Sequence, residues 1–286
     1  MSACFLVPWK QATLYGEPRF ATLVLLTTAA AFNSGAALLP QLRTHEESKR
    51  PLGPTLKLSL VFAVLTLAGN LSSAEAVSRI SSSLLAVLQR CEVLVVGLLS
   101  VPLLRERVRL PFWIGTATAA IGVVLLQHES AGSQTFEPTG VLFGLGSACA
   151  FGTMIVLTRR HIHEVSPVLL NAVRLWLSVA LWFVVQRALP SAAELPGTLV
   201  FFAALAGFFG PFLARLGALF SARGLTASTT AIASLATPVL TLLLSFLIHG
   251  TWPTGQELLG GAVLLVGVAV PLFADARLSE RLRSSG

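Results

Sequence analysis

Charge is what this chain has least of. Only 12% of its 286 residues are Asp, Glu, Lys or Arg, while 54% are hydrophobic, against roughly a quarter charged in a soluble domain. A surface that water must cover is therefore excluded. Aspartate is reduced to one, Asp275, close to the C-terminus, so the paired aspartates of intramembrane hydrolases and prenyl transferases cannot be assembled. No HExxH helix and no nucleotide-phosphate loop occurs, which removes the commonest zinc and nucleotide chemistries. The three cysteines, Cys4, Cys91 and Cys149, lack CxxC spacing and are expected to be small buried hydrophobes rather than metal ligands or disulfide partners. His128, His161, His163 and His249 sit at expected helix ends, as solvated residues rather than a metal site. An enzyme is not expected, nor a cofactor. The alternating ten-residue segments of an outer-membrane barrel are missing too, which leaves helices.

What is present is long apolar runs, such as Phe20 to Pro40, Pro111 to Gln127 and Leu199 to Phe212, near the ~20 residues a helix needs to cross a bilayer core. An all-α polytopic membrane protein follows. Spans are predicted at 18–40, 54–73, 75–104, 110–128, 138–158, 166–187, 197–221, 224–248 and 256–275, broken where Pro, Gly and charge gather. The run after Arg19 is followed by many others, so it reads as an uncleaved span and not a secretory signal. One connection, Gln41 to Pro54, is long and polar, and none is large enough for a soluble domain.

The chain also repeats itself. Ser2-Ala3-Cys4 lies 145 residues before Ser147-Ala148-Cys149, and Gly115 and Gly122 lie the same distance before Gly260 and Gly267. One ungapped offset predicts two halves, a first repeat over 1–130, a second over 138–276 and a tail over 277–286. The second half holds five spans, so the first should too, and residues 1–15 read as the back end of a truncated first helix beside nine full spans. A mis-assigned start codon and a real loss of the helix both fit, and Pro8, Trp9 and Lys10, resembling an interfacial helix end, favour the first. Trp9, Trp113, Trp176, Trp182 and Trp252 fall mainly at span boundaries and are expected to be interfacial anchors.

Lys and Arg are unevenly placed. A cytoplasmic C-terminus puts Arg43, Lys49, Arg50, Arg105, Arg107, Arg109, Arg159, Arg160, Arg277, Arg281 and Arg283 inside, whereas "HESAGSQTFEP" and "HGTWPTGQE" contain neither residue. The net charge of +7 then belongs to loops facing anionic lipid, and nucleic acid is not an expected partner. Five spans per half make the two halves run in opposite directions, an arrangement associated with alternating access and a site near the midplane.

The stretch "LLAVLQRCEVLVVGLLSVPLLRERVRLPFWIG", from Leu84 to Gly115, resembles the fourth span, short GER loop and fifth span of EamA-type transporters of the drug/metabolite transporter superfamily. "ASLATPVLTLLLSFLI", from Ala233 to Ile248, is similar to that family's Pro-containing ninth span. The resemblance covers nearly the whole chain. It implies ten helices in two inverted five-helix repeats, a central cavity, and export or exchange of small metabolites in a bacterial inner membrane. The loop Gly is Arg105 here while Glu106 is kept, the second repeat has Gly250-Thr251 instead of a Gly-Glu pair, and Val93 stands where the second half has Pro238.

Independently of the resemblance, Thr230, Ser234, Thr237, Thr241 and Ser245 form one helical stripe of hydroxyls, and the offset maps it onto Leu85, Gln89, Glu92, Val96 and Ser100. Cavity wall and helix packing both remain open for it. Glu92 is expected mid-span, where an ionised carboxylate must be neutralised, paired or hydrated. It is either a proton-coupling group or half of a structural ion pair with Arg90, Arg174 or Arg215. Arg90 stands two positions away on the same helix and should point elsewhere, so a partner on another helix is expected. Within a bundle the three arginines suit a carboxylate or phosphate substrate. Asn70 and Arg215 are 145 apart and make a polar position in both third-type spans. Glu75 and Arg79 should form an interfacial pair. The expected function is a secondary transporter of a small polar metabolite or drug-like compound, with membrane lipid and that substrate as partners and a homodimer left open. A scaffold or lipid-handling protein without flux is the alternative, and it should tolerate Glu92→Gln.

Overall fold

The computed structural model describes residues 2–38, 52–104, 110–128, 137–161, 166–187, 190–218 and 258–267, with isolated positions at 247, 255 and 269–270. Among the described residues every regular element is helical: α1 (Ser2–Leu14), α2 (Pro18–Leu38), α3 (Leu52–Arg79), α4 (Ser82–Gln89), α5 (Glu92–Leu104), α6 (Leu110–His128), α7 (Pro138–His161), α8 (Pro167–Gln186), α9 (Gly197–Gly207) and α10 (Leu258–Gly267). A π-helical stretch, Phe208–Ala214, continues α9. Among the described residues six segments are long and apolar enough to cross a membrane: Pro18–Ala37, Thr55–Arg79, Leu84–Leu103, Pro138–His161, Val168–Gln186 and Gly197–Ala218.

These helices are inside out by the standard of a soluble bundle. In α3 the residues turned outward are Leu56, Leu60, Val61 and Val64, whereas Thr55, Ser59, Thr66, Asn70 and Ser73 are buried. The buried polar positions recur at helical spacing within a mainly apolar core, and an apolar perimeter round such an interior suits lipid, not water. This is an integral membrane protein.

Glycines set the close approaches. A Cβ on Gly69 would strike the Phe151 ring, one on Gly140 would strike Ile80, and one on Gly152 would come 2.9 Å from the Glu92 carbonyl oxygen, so α3, α4 and α5 all lie tightly on α7. α6 and α10 cross at a pair of glycines, Gly122 against the backbone of Leu264 and Gly267 against that of Ala119. The contact is reciprocal under the 145-residue offset, because Gly122 maps to Gly267 and Ala119 to Leu264. Reciprocity recurs elsewhere: Gly207 in α9 rests on the Leu25 carbonyl in α2, and the offset partners of those two residues, Phe62 in α3 and Leu170 in α8, pack in one cluster.

One end of the bundle is fixed by polar contacts. Lys10 donates to the carbonyls of Val77, Ile80 and Ser78 at 2.6, 3.1 and 3.4 Å, meeting the negative end of α3. Arg79 pairs with Glu75 at 3.5 Å, the interfacial pair expected, and also with Glu137 at the start of α7. Before α9, Ser191 and Glu194 form a capping box. The Ser191 backbone N–H and hydroxyl donate to the Glu194 carboxylate at 2.7 and 2.9 Å, which holds that carboxyl below the usual Glu range.

Four expectations need correction. α3 runs through 73–75 to Arg79, because "SSAEAVSR" holds small and charged residues that propagate a helix; the break comes at Ile80-Ser81, where Ser81 caps α4. The next span is itself interrupted at Arg90-Cys91. Trp9 and Trp182 are core residues, both 0% exposed, held by indole donation to Ser73 and to the Arg19 carbonyl, whereas Trp113 and Trp176 are exposed. Cys149 is exposed, unlike buried Cys91, since its helix turns it to the perimeter. Trp252, His163, His249 and the span expected at 224–248 lie outside the described residues.

Candidate functional site

The sequence-predicted polar residues fall into two groups. The first surrounds the joint between α4 and α5. The Gln89 amide donates to Ser73 Oγ at 3.4 Å and Ser147 Oγ at 3.5 Å, and the Trp9 indole donates to the same Ser73 oxygen at 3.2 Å, so α1, α3, α4 and α7 share one polar knot. Next to it, Arg90 Nη1 lies 3.2 Å from Glu92 Oε1, with side chains 8% and 18% exposed. That overturns the expectation that Arg90 points away from Glu92. In a regular helix residues two apart stand roughly 200° apart round the axis, but here i→i−3 bonds at Arg90, Cys91 and Val93 and the break between α4 and α5 abolish that step. Two adjacent helix ends bring the partners together.

The second group lies where α2, α3, α8 and the π-helical stretch meet, and its centre is Arg174, 2% exposed. Its Nε and Nη2 both donate to Asn171 Oδ1, at 2.8 and 2.6 Å. Nη1 donates to Thr66 Oγ1 and approaches Met154 Sδ at 3.7 Å. Asn171 in turn donates to Asn33 Oδ1 and, at 3.5 Å, to the Pro211 carbonyl. Asn33 is steadied by donation to its own helix at Ala29, 2.9 Å, and Asn70 donates to the Thr66 carbonyl at 2.7 Å. Every bond that holds the Arg174 guanidinium goes to a neutral group. Among the described residues the cation is oriented without being neutralised.

Arg215 follows the π-helical stretch at once and is half-buried. It links the groups electrostatically, repelling Arg174 and attracted by Glu92. A π turn in mid-helix, with Pro211 supplying no N–H, displaces the helix register there. Phe208 and Phe212 of the same stretch pack on the Phe32 ring beside Asn33, centroids 5.0 and 5.6 Å away.

Of the residues expected at the site, Gln89, Arg90 and Glu92 gather in the first group, and Asn70, Arg174 and Arg215 in or beside the second. Thr230, Ser234, Thr237 and Thr241 lie outside the described residues. Sequence reasoning overlooked Asn33, Thr66 and Asn171. A signal existed: the chain has three asparagines, Asn33, Asn70 and Asn171, all within apolar runs, where an amide is costly unless it is bonded.

Among the described residues no cluster of three or more His, Cys, Asp or Glu could hold a metal ion. The arrangement is a set of fixed donors in a desolvated interior, with an aromatic and π-helical element at its border.

Comparison with known proteins agrees in kind. No curated protein matches the chain. A solved crystal structure 20% identical in sequence aligns over 97% of this chain and 96% of its own, with a TM-score of 0.66, a likeness of fold. The model of the EamA-like transporter family matches twice, over residues 10–127 and 138–273, which together take in most of the chain. The chain belongs to the EamA-like transporter family.

Proposed function

We propose that this protein is a secondary transporter, an exporter or exchanger, that moves a small polar metabolite or drug-like compound by alternating access between two inverted five-helix repeats. The observation that carries the reading is the buried polar cluster at the meeting of α2, α3, α8 and the π-helical stretch. Desolvated donors held for no structural partner of opposite charge suit a ligand that enters and leaves. The reciprocal glycine contact of α6 and α10 supports the repeat, with units at 1–130 and 138–276 and the tail at 277–286. Two halves related by such an axis exchange conformations by rocking about a site near the midplane. The positive bias of the loops supports a cytoplasmic C-terminus, and the membrane of this reading is a bacterial inner membrane.

Glu92 is the proton-coupling group of this reading. Protonation would release Arg90 and weaken the attraction on Arg215, so a proton could shift the charge balance of both groups. The test is efflux from proteoliposomes loaded with a mixed metabolite pool, read by mass spectrometry under two pH gradients, for the wild type and Glu92→Gln. A compound released only by the wild-type protein, faster under one gradient, is the expected result. Flux independent of pH would refute the coupling role, and no flux at all would refute the carrier.

A further inference from the structure

We infer that Arg174 and Arg215 together bind the negative group, a carboxylate or a phosphate, of an organic anion carried by this protein; the inference rests on the carrier reading above and gives its substrate class. The first support is a charge inventory. Away from the ends of its apolar segments the chain places three arginines, Arg90, Arg174 and Arg215, against one carboxylate, Glu92. Arg90 takes that carboxylate at 3.2 Å. Two positive charges remain in the interior, and Asn171, which holds Arg174, also donates at 3.5 Å to the Pro211 carbonyl, about one turn before Arg215.

Geometry is the second support. Arg174 spends its bonds on Asn171, Thr66 and Met154, all neutral, and forms no ion pair among the described residues. Holding an ionised guanidinium in a membrane interior beside a second cation is costly, and a mobile anion relieves that cost during the part of the cycle when it is bound. Four of the five Arg174 N–H groups go to Asn171, Thr66 and Met154, so Arg174 contributes its charge and one N–H, while the Arg215 fork, which makes no hydrogen bond among the described residues, matches a carboxylate or phosphate through two parallel bonds. An uncharged or cationic substrate would leave the repulsion untouched or worsen it.

The test titrates purified protein with succinate, inorganic phosphate, glycerol 3-phosphate, glycerol and putrescine while thermal unfolding is followed. Arms in phosphatidylcholine alone and with phosphatidylglycerol separate a soluble anion from a lipid headgroup. Saturable stabilisation is expected from at least one organic anion in phosphatidylcholine alone, with none from glycerol or putrescine. Arg215→Gln is the principal variant, because that side chain makes no hydrogen bond among the described residues and its loss leaves the Arg174 network in place. Apparent affinity should fall at least about tenfold, the loss of one charge-assisted contact, with partial recovery in Arg215→Lys. Three outcomes overturn the inference: no response to organic anions, equal response in Arg215→Gln, or a response that requires phosphatidylglycerol. In the efflux assay, release of an uncharged or cationic compound unaffected by Arg215→Gln would overturn the anion site and keep the carrier, whereas anion stabilisation without any flux would keep the site and overturn the carrier.

Discussion

Gly122 and Gly267 offer the sharpest test of how the two halves meet. A Cβ at Gly122 would lie 2.5 Å from the Leu264 backbone nitrogen and 2.7 Å from its Cα. Carbon needs ~3.5–4.0 Å, so in Gly122→Ala the helices α6 and α10 must separate by roughly 1 Å. Leu264 is 0% exposed, and a buried leucine makes some 40–60 contacts of ~0.1–0.2 kcal/mol, of which a gap of that size forfeits a quarter to a half on the facing side. Taking the low end of that range, the loss is about 1–2 kcal/mol, and lipid refills little of it because the cleft is too narrow. Gly267→Ala should cost a similar amount, since its Cβ meets Ala119 and the Gly115 carbonyl. The double variant should cost less than the sum, because helices already parted by one methyl accept the second. Equilibrium unfolding in mixed micelles measures all three, with Gly35→Ala as control, where nothing lies within 4 Å. Equal stability of Gly122→Ala and the control, or strict additivity in the double variant, would refute the reciprocal contact.

Lys10→Met should destabilise the protein by about 1–3 kcal/mol, because three carbonyls at the end of α3 lose their cationic donor; unchanged thermal unfolding would mean that water serves them equally well. Arg90→Gln strands Glu92 in a partly buried setting and should cost about 1–3 kcal/mol, while the double change Arg90→Gln with Glu92→Gln should recover most of it; a double variant as weak as the sum of both singles would dissolve the pair. Glu194 is held below the usual carboxyl range first by the Ser191 N–H and then by its hydroxyl. The Ser191–Glu194 cap is therefore complete above the ordinary Glu pKa and lost as pH falls through the lower folded value. A carboxyl carbon NMR titration should find that low midpoint, moving part of the way up in Ser191→Ala; an ordinary midpoint in the wild type would count against the cap.

Much of the scaffold was legible because a membrane helix must be long, apolar and internally bonded. α8 begins and ends within one residue of the span predicted at 166–187, and the described parts of α6 and α2 lie within the spans predicted at 110–128 and 18–40. What misled was small polar sequence. Ser72, Ser73 and Glu75 lower hydropathy and divide the predicted spans at 73–75, yet all three sit inside α3, where Ser73 is buried because Trp9 of α1 and Gln89 of α4 donate to it, partners that no local window contains. The tryptophans failed for the same reason: Trp182 lies near a span end, as an anchor would, but the Arg19 carbonyl from another helix accepts its N–H. The residue types of the candidate site were legible and its grouping was not. Helical periodicity places Gln89 and Glu92 on one stripe, but a broken helix, not periodicity, decides that Arg90 meets Glu92, and only the crossing of α2, α3 and α8 brings Asn33, Thr66 and Asn171 to Arg174.

The offset also separates what the two halves share from what they do not. Shared features are those of packing: Gly122 with Gly267, Gly115 with Gly260, and the paired seats of Gly207 on Leu25 and Phe62 on Leu170. Charge is not shared. Arg174 maps onto Ala29, Arg215 onto Asn70, Arg90 onto Leu235 and Glu92 onto Thr237. A scaffold with matched halves can adopt two arrangements of similar energy, since exchanging the conformations of the halves exchanges equivalent contacts. The proposed anion site has the opposite requirement, because a substrate with one charged end needs it met once. Two copies of Arg174 would put a second pair of like charges in the same interior, whereas one copy leaves Ala29 small beside Asn33, whose side chain bonds to its carbonyl. The π-helical stretch is where the two requirements meet: it occupies one half only, opposite regular helix in α3 at Thr66. There it aims the Pro211 carbonyl at Asn171 and carries Arg215, so that a change in the register of this one segment would move a cation and an acceptor together.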